Sequence, residues 1–166
     1  MGNSAALVIR DARPGEFAEV ATLNVEAYRE FSRAVKPEDW GTMEANLRSI
    51  EPRAEDGNVI VAEDNGTLVG AVIYQPPGRR NPGRFAREWA VVELLAVRPS
   101  HRRQGVGRLL TQECIKRARR DGAHKVGLYT SEAMAAARRL YESMGFNREA
   151  EFEQYGLRYW NYMLEL

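Results

Sequence analysis

The chain reads as an α/β protein: a mixed, mostly antiparallel central sheet flanked by helices on both sides, in the order βααβββαβαββ. Three observations predict it. Residues 89–97, Trp-Ala-Val-Val-Glu-Leu-Leu-Ala-Val, put apolar side chains on both alternating faces, the pattern of a central strand covered on each side. Apolar residues recur at helical spacing around 17–28 and again from Val106 to Ala118. Short β-rich runs separated by turn residues lie before and after that second helix, which calls for a layered sheet. A length of 166 residues suits one domain spanning 1–166, since domains commonly run to about 100–200 residues.

In chain order, Leu7 to Arg10 is a short strand, and Asp11 to Pro14 turn into a helix whose first turn accommodates proline. Phe17, Val20, Ala21 and Val25 give that helix one apolar face through Tyr28. A second helix starts near Pro37 and carries Trp40, Met43, Leu47 and Ile50. Asn58 to Ala62 and Thr67 to Tyr74 form a hairpin around Asn65-Gly66, residues that tolerate positive φ. A loop rich in Pro, Gly and Arg fills 75–87, and the central strand follows. The next helix runs from about Gly105 to Arg120, with Val106, Leu110, Cys114 and Ala118 spaced by four, and Asp121-Gly122 ends it. Lys125 to Thr130 is a strand, and Ser131 is placed to cap the helix after it. That helix gathers Met134, Ala137, Leu140, Tyr141 and Met144 on one side and closes at Gly145. Phe146 to Tyr155 and Leu157 to Leu166 are the final pair of strands.

The net charge of +1 argues against a wholesale nucleic-acid binder, although arginine far outnumbers lysine. Cys114 is the only cysteine, so no intramolecular disulfide forms, which suits a reducing compartment. Residues 1–6 lack the apolar core of a secretory signal, and no run approaches the roughly 18 apolar residues of a membrane helix. The expectation is a cytoplasmic protein without membrane or nucleic-acid partners and without a metal cluster.

The most informative stretch is Val97-Arg98-Pro99-Ser100-His101-Arg102-Arg103-Gln104-Gly105-Val106-Gly107-Arg108. A buried strand feeds a short loop, and two glycines open a helix. Glycines let backbone approach a ligand, and the helix start offers free N–H groups and a positive dipole end. Such a start is an anion site suited to a pyrophosphate, with Arg102, Arg103 and Arg108 adding charge. A dinucleotide fingerprint would want a third glycine where Leu110 stands, and the Gly-Lys-Ser/Thr of a nucleoside-triphosphatase loop is absent. What stands here is Arg-x-x-Gly-x-Gly, and it resembles the cofactor motif of the GNAT superfamily of N-acetyltransferases. Ala-x-x-Leu-Tyr-x-x-x-Gly-Phe at Ala137 to Phe146 is similar to that family's later motif. The resemblance implies acetyl-CoA as cofactor, held through Arg102, Arg103, Gln104, Gly105, Val106, Gly107 and Arg108, with Leu95, Ala96 and Val97 along the pantetheine arm and Ala137 across from them. It also implies a bulge in the central strand near Leu95 to Val97, whose backbone N–H groups meet the developing oxyanion. One departure is that Met134 stands where the family often has an asparagine contacting the cofactor.

The expected reaction is transfer of an acetyl group from acetyl-CoA to a primary amine, by direct attack through a tetrahedral species. It needs a neutral amine, donors for the oxyanion and a proton for the leaving thiolate. Glu93 lies inside the most apolar strand, where a carboxylate needs a partner or a task, and burial makes a carboxylate a stronger base. By resemblance it is the general base; an ion pair with an arginine is the competing reading. By resemblance Tyr141 is the general acid, and a core tyrosine is its competitor. Cys114 falls in an apolar stripe and reads as packing, while His101 and His124 are too isolated for a metal or a Ser/His pair.

The acceptor, a small-molecule or peptide amine, should bind among the first two helices, the 75–87 loop and the last strands. Those carry Tyr28, Phe31, Trp40, Tyr74, Phe85, Tyr155, Tyr159 and Trp160, with most of these aromatics expected in packing. Arg79, Arg80, Arg84 and Arg87 give the loop a positive field suited to a carboxylate or phosphate. Two rivals from other classes are a non-catalytic acyl-CoA sensor and an arginine-based nucleic-acid binder. Homodimerisation through the last strands is open by resemblance only.

Overall fold

In the computed structural model, which describes residues 7–78 and 83–166, seven strands form one sheet in the order β1-β2-β3-β4-β5-β7-β6. The elements are β1 (Val8–Asp11), α1 (Phe17–Tyr28), α2 (Pro37–Arg48), α3 (Glu51–Ala54), β2 (Asn58–Asp64), β3 (Thr67–Gln75) and β4 (Ala90–Val97). They continue with α4 (Val106–Arg120), β5 (Lys125–Ser131), α5 (Ala135–Ser143), β6 (Asn147–Gln154) and β7 (Leu157–Glu165). Every pairing is antiparallel except β4 with β5. The expected order is therefore found, with one extra short helix, α3. Pro52 accounts for it: a proline there would clash with the carbonyl of Arg48, so α2 stops at Arg48 and Ile50 falls outside it.

Strand pleating sends alternate side chains to two cores. Ile60 and Ala62 join Val106, Leu110, Cys114 and Ala118 of α4 on one face. Val59 and Val61 join Val20, Leu23 and Ala27 of α1 on the other. The four-residue stripe of α4 is thus buried as its spacing requires, and burial pushes the Cys114 thiol up to about 12, a packed and inert sulfur.

Two irregularities shape the site. Leu94 has φ of 51°, and the register between β3 and β4 shifts there, with Ala71 opposite Ala96 but Ile73 opposite Glu93. One extra residue in β4 makes a β-bulge, as the family resemblance implied. The parallel pairing of β4 with β5 covers only Ala90↔Val126 and Val91↔Gly127. Beyond it, Val92 to Val97 and Leu128 to Ser131 stay paired to β3 and β7 but not to each other, and the sheet opens at its centre.

Candidate active site

A cavity of about 690 Å³ occupies that opening. Its walls include Leu95, Ala96 and Val97 of β4, then Arg102, Arg103, Gly105, Val106, Gly107 and Arg108, and across from them Ala137 and Leu140 of α5. All the cofactor residues expected from sequence therefore meet at one cleft, except Gln104, which is exposed and absent from its lining. Backbone geometry explains the turn. Arg103 has φ of 62° and Gly105 φ of 80°, so two left-handed residues either side of Gln104 curl the chain before α4 begins. Gly105 is the N-cap and supplies no side-chain cap, which leaves the first-turn N–H groups of α4 to a ligand.

The three arginines differ in what they do. Arg102 pairs with Glu30 and donates from Nη2 to the Ala27 carbonyl at 2.7 Å, tying the turn to the end of α1. Arg108 donates to Ser143 Oγ at 2.7 Å, joining α4 to α5. Arg103 is exposed at the cleft. Sequence reasoning treated them alike; the fold shows Arg102 and Arg108 bonded to protein partners and Arg103 exposed, all three on the cleft.

A smaller cavity of about 60 Å³ adjoins on the α2 side, bounded by Arg53, Glu93, Tyr129, Gln154, Tyr155 and Tyr159 among others. Tyr28 and Met134 border both cavities. Glu93 is 8% exposed, and its Oε2 lies 3.3 Å from Arg53 Nε and accepts from Gln75 Nε2 at 3.3 Å. The ion-pair reading of Glu93 is thus realised; both contacts fall on Oε2, and the residue lines the smaller cavity. Arg53 was missed from sequence. It is held by Asn46 Oδ1 at 2.7 Å and the Ser49 carbonyl at 2.7 Å. Its only sequence signal is an arginine beside Pro52 in a segment that otherwise reads as a helix end.

Tyr141 is buried against Phe146 and Tyr162, with ring centroids at 5.7 and 6.4 Å. Burial first, and then the neighbouring Tyr28, push its hydroxyl above the usual phenol range, so it is protonated at neutral pH and a weaker acid than a free phenol. Tyr28 is likewise raised by burial and donates to the Leu95 carbonyl at 2.8 Å, pinning the bulged strand.

Several expectations need correction. Ser131 does not cap α5; it ends β5, and the N-cap is Met134, without a side-chain cap. The Met134 sulfur accepts from Thr130 Oγ1 at 3.4 Å instead. His101 is not isolated: Ser100 Oγ lies 2.8 Å from its Nδ1 and Asp64 Oδ2 lies 3.0 Å from its Nε2. Tyr74 is buried and bonds Asp121 Oδ2 at 2.7 Å, Phe85 stacks on Trp89, and Trp160 packs beneath Arg138 and Arg148. Trp40 packs with Val25, Met43 and Leu47. Of the aromatics expected around the acceptor, Tyr28, Tyr155 and Tyr159 line the smaller cavity and Phe31 the larger. Arg79 and Arg80 lie outside the described residues.

The model of the acetyltransferase (GNAT) family matches residues 19–146. The chain belongs to this family. A GNAT relative, the mycothiol acetyltransferase of Thermobispora bispora, is 35% identical over 147 residues, covering 84% of this chain and 46% of that protein. The chain spans about half the length of the mycothiol acetyltransferases it matches. The L-methionine sulfoximine/L-methionine sulfone acetyltransferase of Salmonella typhimurium is 32% identical over 101 residues, covering 61% of this chain and 57% of that one. The solved structure of the PaiA N-acetyltransferase from Thermoplasma acidophilum, in complex with coenzyme A, superposes with a TM-score of 0.79 at 16% identity, covering 97% of this chain and 99% of its own. The GNAT fold is thus shared almost end to end. Among the described residues no helix is long and apolar enough to cross a membrane, and no group of three or more His, Cys, Asp or Glu side chains is placed to hold a metal.

Proposed function

We propose that the chain is an N-acetyltransferase that uses acetyl-CoA to acetylate a primary amine. The observation that carries this reading is the cleft where β4 and β5 part, with an uncapped helix start on its wall and Glu93 in the wall of the smaller cavity that adjoins it. The residues present fit the cofactor. Open space surrounds a left-handed Gly105, where a Cβ would meet nothing within 4 Å, and the free amides of α4 with Arg103 suit a pyrophosphate. Leu95 to Val97 offer strand backbone to the pantetheine arm.

Bound there, acetyl-CoA supplies an activated acyl group on a good leaving sulfur. The chain does the rest. Glu93 Oε1 receives the proton of the acceptor amine, while Arg53 and Gln75 hold the carboxylate still through Oε2. The bulged backbone after Leu94 supplies N–H donors where negative charge develops on oxygen. Tyr141, kept protonated by burial, gives its proton to the departing sulfur. Cys114 is buried away from this path, which supports direct attack by the amine.

Thermal unfolding with acetyl-CoA, CoA, NAD and ATP, each alone, tests the cofactor. A ligand at 100 times its dissociation constant stabilises by about 2.7 kcal/mol, a shift of several degrees at this size. Acetyl-CoA and CoA should shift Tm; Gly105→Val should abolish the shift, because a β-branched residue resists positive φ. No shift with either at millimolar concentration would overturn the reading. A shift without turnover of any amine would favour the binding-only module.

A further inference from the structure

Arg84 is a cation beside the smaller cavity that the proposed chemistry does not use. Its guanidinium carbon lies 3.5 Å from the ring centroid of Phe152 and 5.5 Å from that of Tyr129. Its Nη2 donates to Gln154 Oε1 at 3.3 Å. Tyr129 and Gln154 both line the acceptor cavity, so Arg84 is fixed one side chain from its interior.

Pleating keeps this cation unneutralised. Phe152 and Gln154 share one face of β6, and Glu151 and Glu153 take the other, where Glu151 lies 3.5 Å from Arg158. Among the described residues Arg84 forms no ion pair. Arg53, the cation in the cavity wall, is paired with Glu93 and bonded to Asn46 and Ser49. A guanidinium already ordered by stacking loses little freedom when it binds an oxyanion through two parallel bonds. One small cavity thus has a carboxylate in its wall and a free, oriented guanidinium at its edge.

We infer that the acceptor is an amine that also carries an oxyanion, a carboxylate or a phosphate, which Arg84 holds while the nitrogen meets Glu93. This rests on the acyltransferase reading and names the substrate class of the same site. The test is initial rates with acetyl-CoA and matched acceptors: α-amino acids, their carboxamides, their decarboxylated amines and the corresponding aminophosphonates. The oxyanion members should exceed their amides in kcat/KM by about tenfold to a hundredfold, mostly through KM. Preference for carboxylate or for phosphonate tells the two sources apart. Arg84→Gln should bring the acid-to-amide ratio toward one, Arg84→Lys should keep part of it, and Phe152→Leu should weaken it by removing the stacking face. Amides that match the acids, a ratio that survives Arg84→Gln, or no turnover of any oxyanion acceptor would overturn the inference. The acetyl-CoA shift in Tm, read on the same samples, separates the failures. With the shift present only the substrate class falls; without it the acyltransferase reading falls as well.

Discussion

Tyr141 takes its proposed role from the family motif, and its burial sets its protonation state. A tyrosine so deeply placed costs desolvation energy to ionise, which raises its pKa and keeps the hydroxyl protonated through neutral and mildly alkaline pH. Tyr141→Phe should therefore lower kcat by about a hundredfold or more, in the range of general acids, with little change in the acetyl-CoA shift of Tm. Equal loss of turnover and cofactor affinity would assign it to packing instead. The tyrosine was legible from the Leu-Tyr of its motif, and Glu93 from its apolar strand. Arg53 was not. Its partner is 40 residues away in sequence, and only the folding of α3 against β2 and β3 brings the two together. The aromatics of the segments expected around the acceptor show the same limit. Tyr74 and Tyr28 look alike in sequence, yet one hydroxyl meets Asp121 behind the sheet and the other meets Leu95 in the cleft.

Among the elements, α4 decides where the proposed cofactor site lies, and β3 decides where α4 lies. Gly70 makes the close approach possible: a Cβ there would come within 2.9 Å of Val106 Cγ1 and 3.1 Å of Leu110 Cδ1. Gly70→Ala should push the first turn of α4 outward, cost about 1–3 kcal/mol by overpacking, and weaken acetyl-CoA binding although Gly70 touches no ligand. Denaturant unfolding with and without CoA would check both effects; a stability loss with unchanged CoA affinity would contradict it. Periodicity made α4 legible almost to the residue, because its buried stripe repeats every four positions. The bulge at Leu94 was legible only through family resemblance. Nothing in Glu-Leu-Leu-Ala announces a left-handed leucine, since the register of β4 is set by β3 rather than by its own residues.

Taken whole, the molecule gathers tyrosines whose protons burial holds. Tyr28, Tyr74, Tyr141 and Tyr159 are all raised, with desolvation the largest cause in each. The folded state keeps these protons above about pH 10, where unfolded tyrosines lose theirs, so their contribution is full below that pH and declines above it. On the acid side the Arg10 guanidinium holds Glu16 down to about 2, and that contribution fades as pH falls below its ordinary value of 4.5. Tm against pH should show a plateau between roughly 5 and 10 with a fall on each side; rising stability above pH 10 would contradict the assignment. Architecture was the most legible level, because strand order follows from alternating apolar patterns that many residues specify together. The candidate site was legible around the proposed cofactor cleft, where glycines carry a signal, and poorly around the smaller cavity, which is assembled from α2, α3, β4, β5 and β6. Those two sides meet at Tyr28 and Met134, whose side chains border both cavities. Adjoining cavities suit the proposed direct attack of one bound substrate on the other, a reaction that requires both to be present at once. Initial velocities with both concentrations varied should give intersecting double-reciprocal lines, and parallel lines would mean that an acyl group waits on the protein after all.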